Sequence, residues 1–207
     1  MSMPRSRRMA VMLFSVATLL LAATAQAQVV VSQVYGGGGN SGATLKNDFI
    51  ELRNNGAAAV SLEGWSVQYA SSTGTTWNRT NLTGSIAPGG YYLIQQAQGS
   101  GGSVDLPTPD AVGTLTLSGT AGKVALSRGT AALSGACPLT DANVVDFVGF
   151  GSAANCFEGA APTGTLSNTT AALRNGEGSI DTQNNGADFS VGTPNPRNSA
   201  FVPADPL

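Results

Sequence analysis

The residues of this chain whose types and spacing could do chemistry fall in four places. Gly37, Gly39 and Gly42 lie in VVVSQVYGGGGNSGATLKNDFIEL, residues 29–52, where they satisfy the G-x-G-x-x-G spelling of a dinucleotide-binding loop and follow an apolar run. Asp48 and Glu51, in NDFIEL, could act as a carboxylate pair in hydrolysis or contribute to a cation site. Asp181, Gln183, Asn185 and Gly186 begin DTQNNGAD in a way that approaches a calcium loop, with Asp188 closing the octet. Asp146 interrupts the apolar run VVDFVGF.

Each carries a structural reading beside the functional one. A phosphate site needs a helix opening after the third glycine, whose free N–H groups and dipole hold the anion. The segment that follows, NDFIEL, is strand-like, so no nucleotide and no other cofactor is expected. Strand alternation puts residues 48 and 51 on opposite faces, which counts against a shared site and favours hydrogen bonds to neighbouring turns. Alternation also sets Asp146 beside Val144, Val148 and Phe150; if that face is buried, the carboxylate needs partners or a raised pKa, and a hydrogen bond to backbone is preferred to catalysis. In the calcium-like octet, Gln183 departs at the third position and Gly192 stands where a bidentate Glu belongs. A surface turn rich in Asn and Asp is preferred there, with calcium binding by Asp181, Asn185 and Asp188 left to titration.

Bulk properties narrow the chemistry further. The 207 residues include no histidine, which removes the commonest general base, the usual Ser-His-Asp arrangement and the commonest transition-metal ligand. The expectation is therefore no catalytic, no cofactor-binding and no metal-binding residue, with a two-carboxylate hydrolase as the weakest reading. Trp65, Trp77, Tyr69, Tyr91 and Tyr92 could form a stacking platform, although aromatic residues on strands more often pack against neighbours. Asn78-Arg79-Thr80, Asn81-Leu82-Thr83 and Asn168-Thr169-Thr170 spell glycosylation acceptors and are read as polar turn residues.

Arg5, Arg7 and Arg8 precede an apolar stretch from Met9 to Ala23, and Ala25-Gln26-Ala27 supplies small residues for cleavage. Residues 1–27 thus read as a signal peptide, cleaved near Ala27, and the mature protein is expected to be secreted or periplasmic with no membrane span. Without the leader the chain holds seven basic and twelve acidic residues, a net charge of −5, with the bases scattered singly. Direct nucleic-acid binding is not expected, because such affinity comes mostly from Lys and Arg displacing counterions. Cys137 and Cys156, the two cysteines of an exported chain, are expected to form a disulfide.

The elements that must position these residues read as short strands between Gly-rich and Asn-rich turns. Candidates are 29–35, 48–54, 64–70, 75–78, 82–86, 91–95, 114–118, 122–128 and 144–150. Trp65, Val67 and Tyr69 alternate with Ser66 and Gln68, and Val124 and Leu126 with Lys123, Ala125 and Ser127, which predicts half-buried strands with one wet face. Residues 97–113 are expected as a binding loop or a lid, and the chain from about Ser179 to Leu207 as irregular. The pattern predicts an all-β fold, a Greek-key β-sandwich or barrel.

DFIELRN (48–54), VSLEGWSVQYA (60–70), IAPGGYYLIQ (86–95), VVDFVGFG (144–151) and TPNPRNS (193–199), in that order, resemble a bacterial lamin tail domain. The resemblance implies an immunoglobulin-like β-sandwich over 28–199 followed by a flexible tail at 200–207. It brings no catalytic residues and implies an interaction module. Related domains often stand alone after a signal peptide or precede secreted nuclease or phosphoesterase domains. The leading expectation is a non-enzymatic module that binds another protein or a cell-surface component. The alternative is an accessory to a separate extracellular nuclease or phosphoesterase, acting through protein contact.

Overall fold

The structure is a computed structural model and describes residues 28–202; the expected leader and residues 203–207 lie outside them. The strands, in chain order, are β1 (Val29–Tyr35), β2 (Asn47–Asn54), β3 (Val60–Ser61), β4 (Ser66–Ser71), β5 (Asn78–Asn81) and β6 (Ser85–Ile86). They continue with β7 (Tyr91–Gln98), β8 (Ala111–Val112), β9 (Gly122–Ser127), β10 (Val144–Phe150), β11 (Ala171–Arg174) and β12 (Phe189–Gly192). One sheet has the order β12-β11-β1-β2-β7-β8, a second β10-β9-β4-β5, and β3 pairs with β6 in a small ribbon. The chain changes sheet between β2 and β4, β5 and β7, β8 and β9, and β10 and β11, as in Greek-key sandwiches. The fold is an all-β, immunoglobulin-like sandwich.

The inner faces of the two sheets close on one apolar core that includes Val29, Val31, Val34, Ile50, Leu52, Val67, Ile94, Val124, Leu126, Val148 and Phe150. In β1 the inward set is not strictly alternate. Its register against β2 shifts between Val31 and Gln33, so Ser32 is an extra residue and Val34 returns to the inner face. A second shift, between Val144 and Asp146, does the same in β10. It sends Val144 toward the Trp77–Phe147 cluster and Val145 toward the main core. Asp146 thus keeps the buried side with Val148 and Phe150, as alternation predicts, while Val144 does not share it.

The expected wet faces are dry. Ser66, Gln68, Lys123, Ala125 and Ser127 are all buried, because the chain between β9 and β10 folds back over the outer face of the second sheet. The polar side chains there meet the backbone of that cover. Ser66 Oγ donates to Gly129 O, Gln68 Nε2 to Ala131 O, and Leu133 N donates to Gln68 Oε1. Polar residues in a strand normally signal solvent; here they signal a loop whose main-chain groups need partners.

Several boundaries differ from the sequence expectation. Where strands are expected at 75–78 and 82–86, the ladder falls largely between them, on the polar Asn78–Asn81, because pairing with β4 along an exposed edge needs only Thr80 buried. Asn78 and Asn81, read as turn residues, therefore sit on a strand. Residues 114–118 run extended outside any strand, with Leu115 and Leu117 buried. The 97–113 stretch contributes β8 and lays Leu106 against Tyr35, Phe49 and Leu93 on the outer face of the first sheet. The expected irregular tail contains a helical turn, α1 (Asn185–Asp188), and then β12, which pairs along β11. Within the expected flexible end, the Phe201 ring stands edge-on to Tyr91, centroids 5.5 Å apart.

Candidate functional site

The glycine segment enters no helix. Gly38 N donates to Asp48 Oδ1 and Gly39 N to Leu45 O, and the chain then passes into β2. Gly38 is required by close approach: a Cβ there would fall 1.9 Å from the carbonyl carbon of Asn47. The motif therefore serves as a tight crossing at the end of the sandwich, without the helix N-terminus that a dinucleotide loop uses.

Asp48 and Glu51 face opposite sides of β2 and meet different partners. Asp48 accepts from Gly38 N and Leu117 N, each at 2.9 Å, and so holds the end of the extended 114–118 segment in place of a strand ladder. Burial pushes its carboxyl up to about 7, against those two donors. Glu51, on the other face, accepts from Ser32 Oγ, Gln33 Nε2, Arg197 N and Arg197 Nη2. The Arg197 guanidinium also lies 3.8 Å from the centre of the Tyr91 ring. This arrangement clasps the chain around Asn195–Arg197 to the first sheet.

Asp146 leads to a buried polar cluster. Its carboxylate accepts from Arg174 Nη2 at 3.0 and 2.8 Å and from Val31 N at 2.6 Å, while Arg174 Nε donates to Val31 O. Arg174 Nη1 reaches Asp181 Oδ1 at 3.2 Å, and Asp188 stands 3.8 Å away. Phe189 covers the guanidinium at 4.6 Å. Burial opposes the charge of Arg174, but Asp146, Asp181 and Glu158 together hold its pKa above the ordinary value. Glu158, at the margin, is pushed up to about 8 by burial and by Asp146.

The calcium-like octet is built into this cluster differently from a calcium loop. Asp188 accepts from Thr182 N, Thr182 Oγ1 and Asn184 N; Asn185 Oδ1 accepts from Gly149 N and Glu158 N. Asp181 accepts from Arg174 and Gln183. Asp146, Glu158 and Asp181 each bring one oxygen within 4.8 Å of the others, around a guanidinium that already supplies positive charge. Chemically, the cluster can fasten the 181–188 loop to both sheets.

The aromatic residues make packing contacts and hydrogen bonds within the fold, and two of them, Tyr69 and Trp77, also line an open groove. Trp77 is buried and donates from Nε1 to Gly135 O; the hydroxyls of Tyr91 and Tyr92 donate to Glu177 O and Thr83 O. Tyr69 Oη accepts from Ser118 N, and Trp65 is half-buried with Arg128 over its ring. Cys137 and Cys156 are bonded, with Cα atoms 5.1 Å apart. Beside the bridge, the buried Lys123 ammonium donates to Gly74 O, Ala136 O and Asn155 Oδ1.

An open groove of about 590 Å³ lies between β5 and residues 114–116. Arg79 is the one ionisable side chain exposed along it. The residues that sequence reasoning missed are basic ones: Arg174, Arg197 and Lys123 each bridge several polar groups from different segments. The available signal was their setting, AALRN and GKVALS, where a charge sits inside an apolar run.

A search of curated proteins finds no match. The crystal structure of a DUF4876 family protein from Bacteroides thetaiotaomicron is similar, with a TM-score of 0.56 at 15% identity, covering 86% of this chain and 75% of that one. At that identity the likeness speaks for the fold alone. The family model of the Lamin Tail Domain matches residues 22–184, most of the chain's length. The chain belongs to the Lamin Tail Domain family.

Proposed function

We propose that this chain is an exported, non-enzymatic interaction module, a single lamin-tail sandwich over residues 28–199 that binds another protein or a cell-surface component. The observation that carries the reading is where its carboxylates go. Asp48, Glu51, Asp146, Asp181 and Asp188 accept hydrogen bonds from backbone, hydroxyl, amide or guanidinium donors at buried positions, each holding one segment to a sheet. General acid–base work needs such groups within reach of a substrate proton, in a cleft. The exposed groove instead offers amide and hydroxyl side chains, Arg79 and free strand edge, which suits recognition.

Export is supported by the Cys137–Cys156 bridge, which persists in oxidising compartments. Among the described residues no helix is long and apolar enough to cross a membrane. Intact-mass analysis of protein recovered from its native host tests export: a mature N-terminus at Gln28 is expected, and a full-length cytoplasmic product overturns it. The binding role is tested by chemical crosslinking of the mature protein to envelope and supernatant fractions. Hydrolytic turnover by the purified protein, abolished by substitution of one acid, overturns the non-enzymatic reading.

A further inference from the structure

We propose that the groove between β5 and residues 114–116 takes an extended segment of a partner protein that bears a carboxylate side chain, added as a strand along β5 and held by Arg79. The proposal rests on the interaction-module reading and gives it a site and a ligand chemistry.

The main chain on both walls has hydrogen-bonding groups to offer. Leu82 N donates to Trp65 O, and β5 pairs antiparallel with β4 through Thr80↔Val67 and Asn78↔Tyr69. In an antiparallel pair alternate residues bond across the ladder, so Thr80 and Asn78 turn their N–H and C=O toward β4, while Arg79 and Asn81 turn theirs outward. β5 is the edge of its sheet, and Asn78, Arg79 and Asn81 are exposed. On the facing wall, Gly113 N donates to Gln95 O and Leu115 O accepts from Ala97 N, so residues 113 and 115 face β7. Thr114 and Thr116, between and beyond them, are exposed and make no backbone hydrogen bond among the described residues. Two extended walls therefore present unpaired main-chain groups to one groove, the arrangement that strand addition uses.

The charge selects the occupant. Arg79 has no ion pair among the described residues, while Arg174, Arg197 and Lys46 each have a carboxylate partner. An unpaired guanidinium beside open strand edge complements a carboxylate on an incoming strand, and can bind it bidentately. The walls also explain why the site stays open. Thr80 Oγ1 donates to Gln96 Oε1 where the two sheets approach, and a Cβ on Gly113 would fall 2.0 Å from Thr80 Oγ1. The sheets are thus held together at Thr80 and the groove remains beside that point, at a volume within the range of ligand-holding clefts.

The test uses a random decapeptide library displayed on phage, selected against the mature protein and, in parallel, against Arg79→Glu. The expected peptides carry Asp or Glu on wild type and Lys or Arg on Arg79→Glu. The synthesised wild-type peptide should perturb the backbone amides of Arg79, Asn81, Thr114 and Thr116 in ¹H–¹⁵N spectra. It should bind at least about tenfold more weakly to Arg79→Glu, with partial recovery when its acid is changed to Lys. Asn81→Pro removes an outward N–H that the β4 ladder does not use and should weaken the same peptide; Thr116→Pro probes the opposite wall if Asn81→Pro lowers the melting temperature. Recovery of no peptide, or of peptides indifferent to both substitutions, overturns the proposal. Perturbation of another surface overturns the site while leaving the interaction-module reading intact. Self-association lost in Asn81→Pro would assign the groove to a second copy of this chain.

Discussion

Arg174 on β11 and Asp146 on β10 join the two sheets through the core: both side chains are fully buried, and Nη2 lies 2.8 Å from the nearer carboxylate oxygen. Val31 on β1 completes the link, donating its N–H to Asp146 and accepting from Arg174 Nε. Removing one partner strands a charge in the interior, which costs about 3–5 kcal/mol. Asp146→Ala and Arg174→Ala are each expected to lower stability by about that amount, read from the urea midpoint. Asp146→Leu with Arg174→Met should lose no less than Asp146→Ala, because the buried Asp181 then also loses its guanidinium partner.

The raised carboxyls of Asp48 and Glu158 contribute a pH dependence, in the same direction as the fully buried Asp146, whose carboxyl burial also pushes up. Folded values of about 7 and about 8 exceed the ordinary 3.8 and 4.5, so between those limits the native state holds protons that the unfolded chain has released. Stability from this source is fully present below the ordinary carboxyl range and is lost as pH rises through about 7 and about 8. The melting temperature is expected to be higher at pH 5 than at pH 8.5. Glu158→Gln, a neutral isostere, should flatten the upper part of that slope; an unchanged profile in this variant excludes Glu158 as its source.

The Cys137–Cys156 bridge closes a loop with a sequence separation of 19 and pins the cover over the Trp77–Phe147 cluster. On the loop-entropy model its loss costs about 3 kcal/mol. Paired urea titrations with and without reductant, or of the double Cys→Ser variant, should show that difference with little change in slope.

Arg197 holds the C-terminal segment by three kinds of contact: Glu51, the Tyr91 hydroxyl and the Tyr91 ring face. Arg197→Ala is expected to raise amide exchange across 195–201 and to cost about 2–4 kcal/mol, since Glu51 stays buried without its counter-charge. Arg197→Lys should recover only part, because an ammonium cannot reproduce the forked contact or the stacking.

Much of the core was legible from pattern. VVVSQVY, DFIEL and VVDFVGF are strands in sequence as in structure, and alternation set Asp146 beside Val148 and Phe150 without deciding that this side is buried. Ladder position at the edges was less legible. NRTN carries no apolar alternation, and AALR is short and rich in alanine, so β5 and β11 owe their existence to the strands beside them.

By itself the sequence determined the class of fold, the pairing of its two cysteines, the opposite facing of Asp48 and Glu51, and the absence of histidine chemistry, because strand periodicity and residue inventory are local properties. Only the tertiary structure decided that the second faces of β4 and β9 are dry, that Arg174 and Arg197 answer particular carboxylates far away in the chain, and that β5 and residues 114–116 stand apart as two walls of a groove. Those outcomes depend on which loop covers which sheet and which edge is left uncovered. Long-range packing sets both, through segments whose local pattern is the same whether they lie buried or in water.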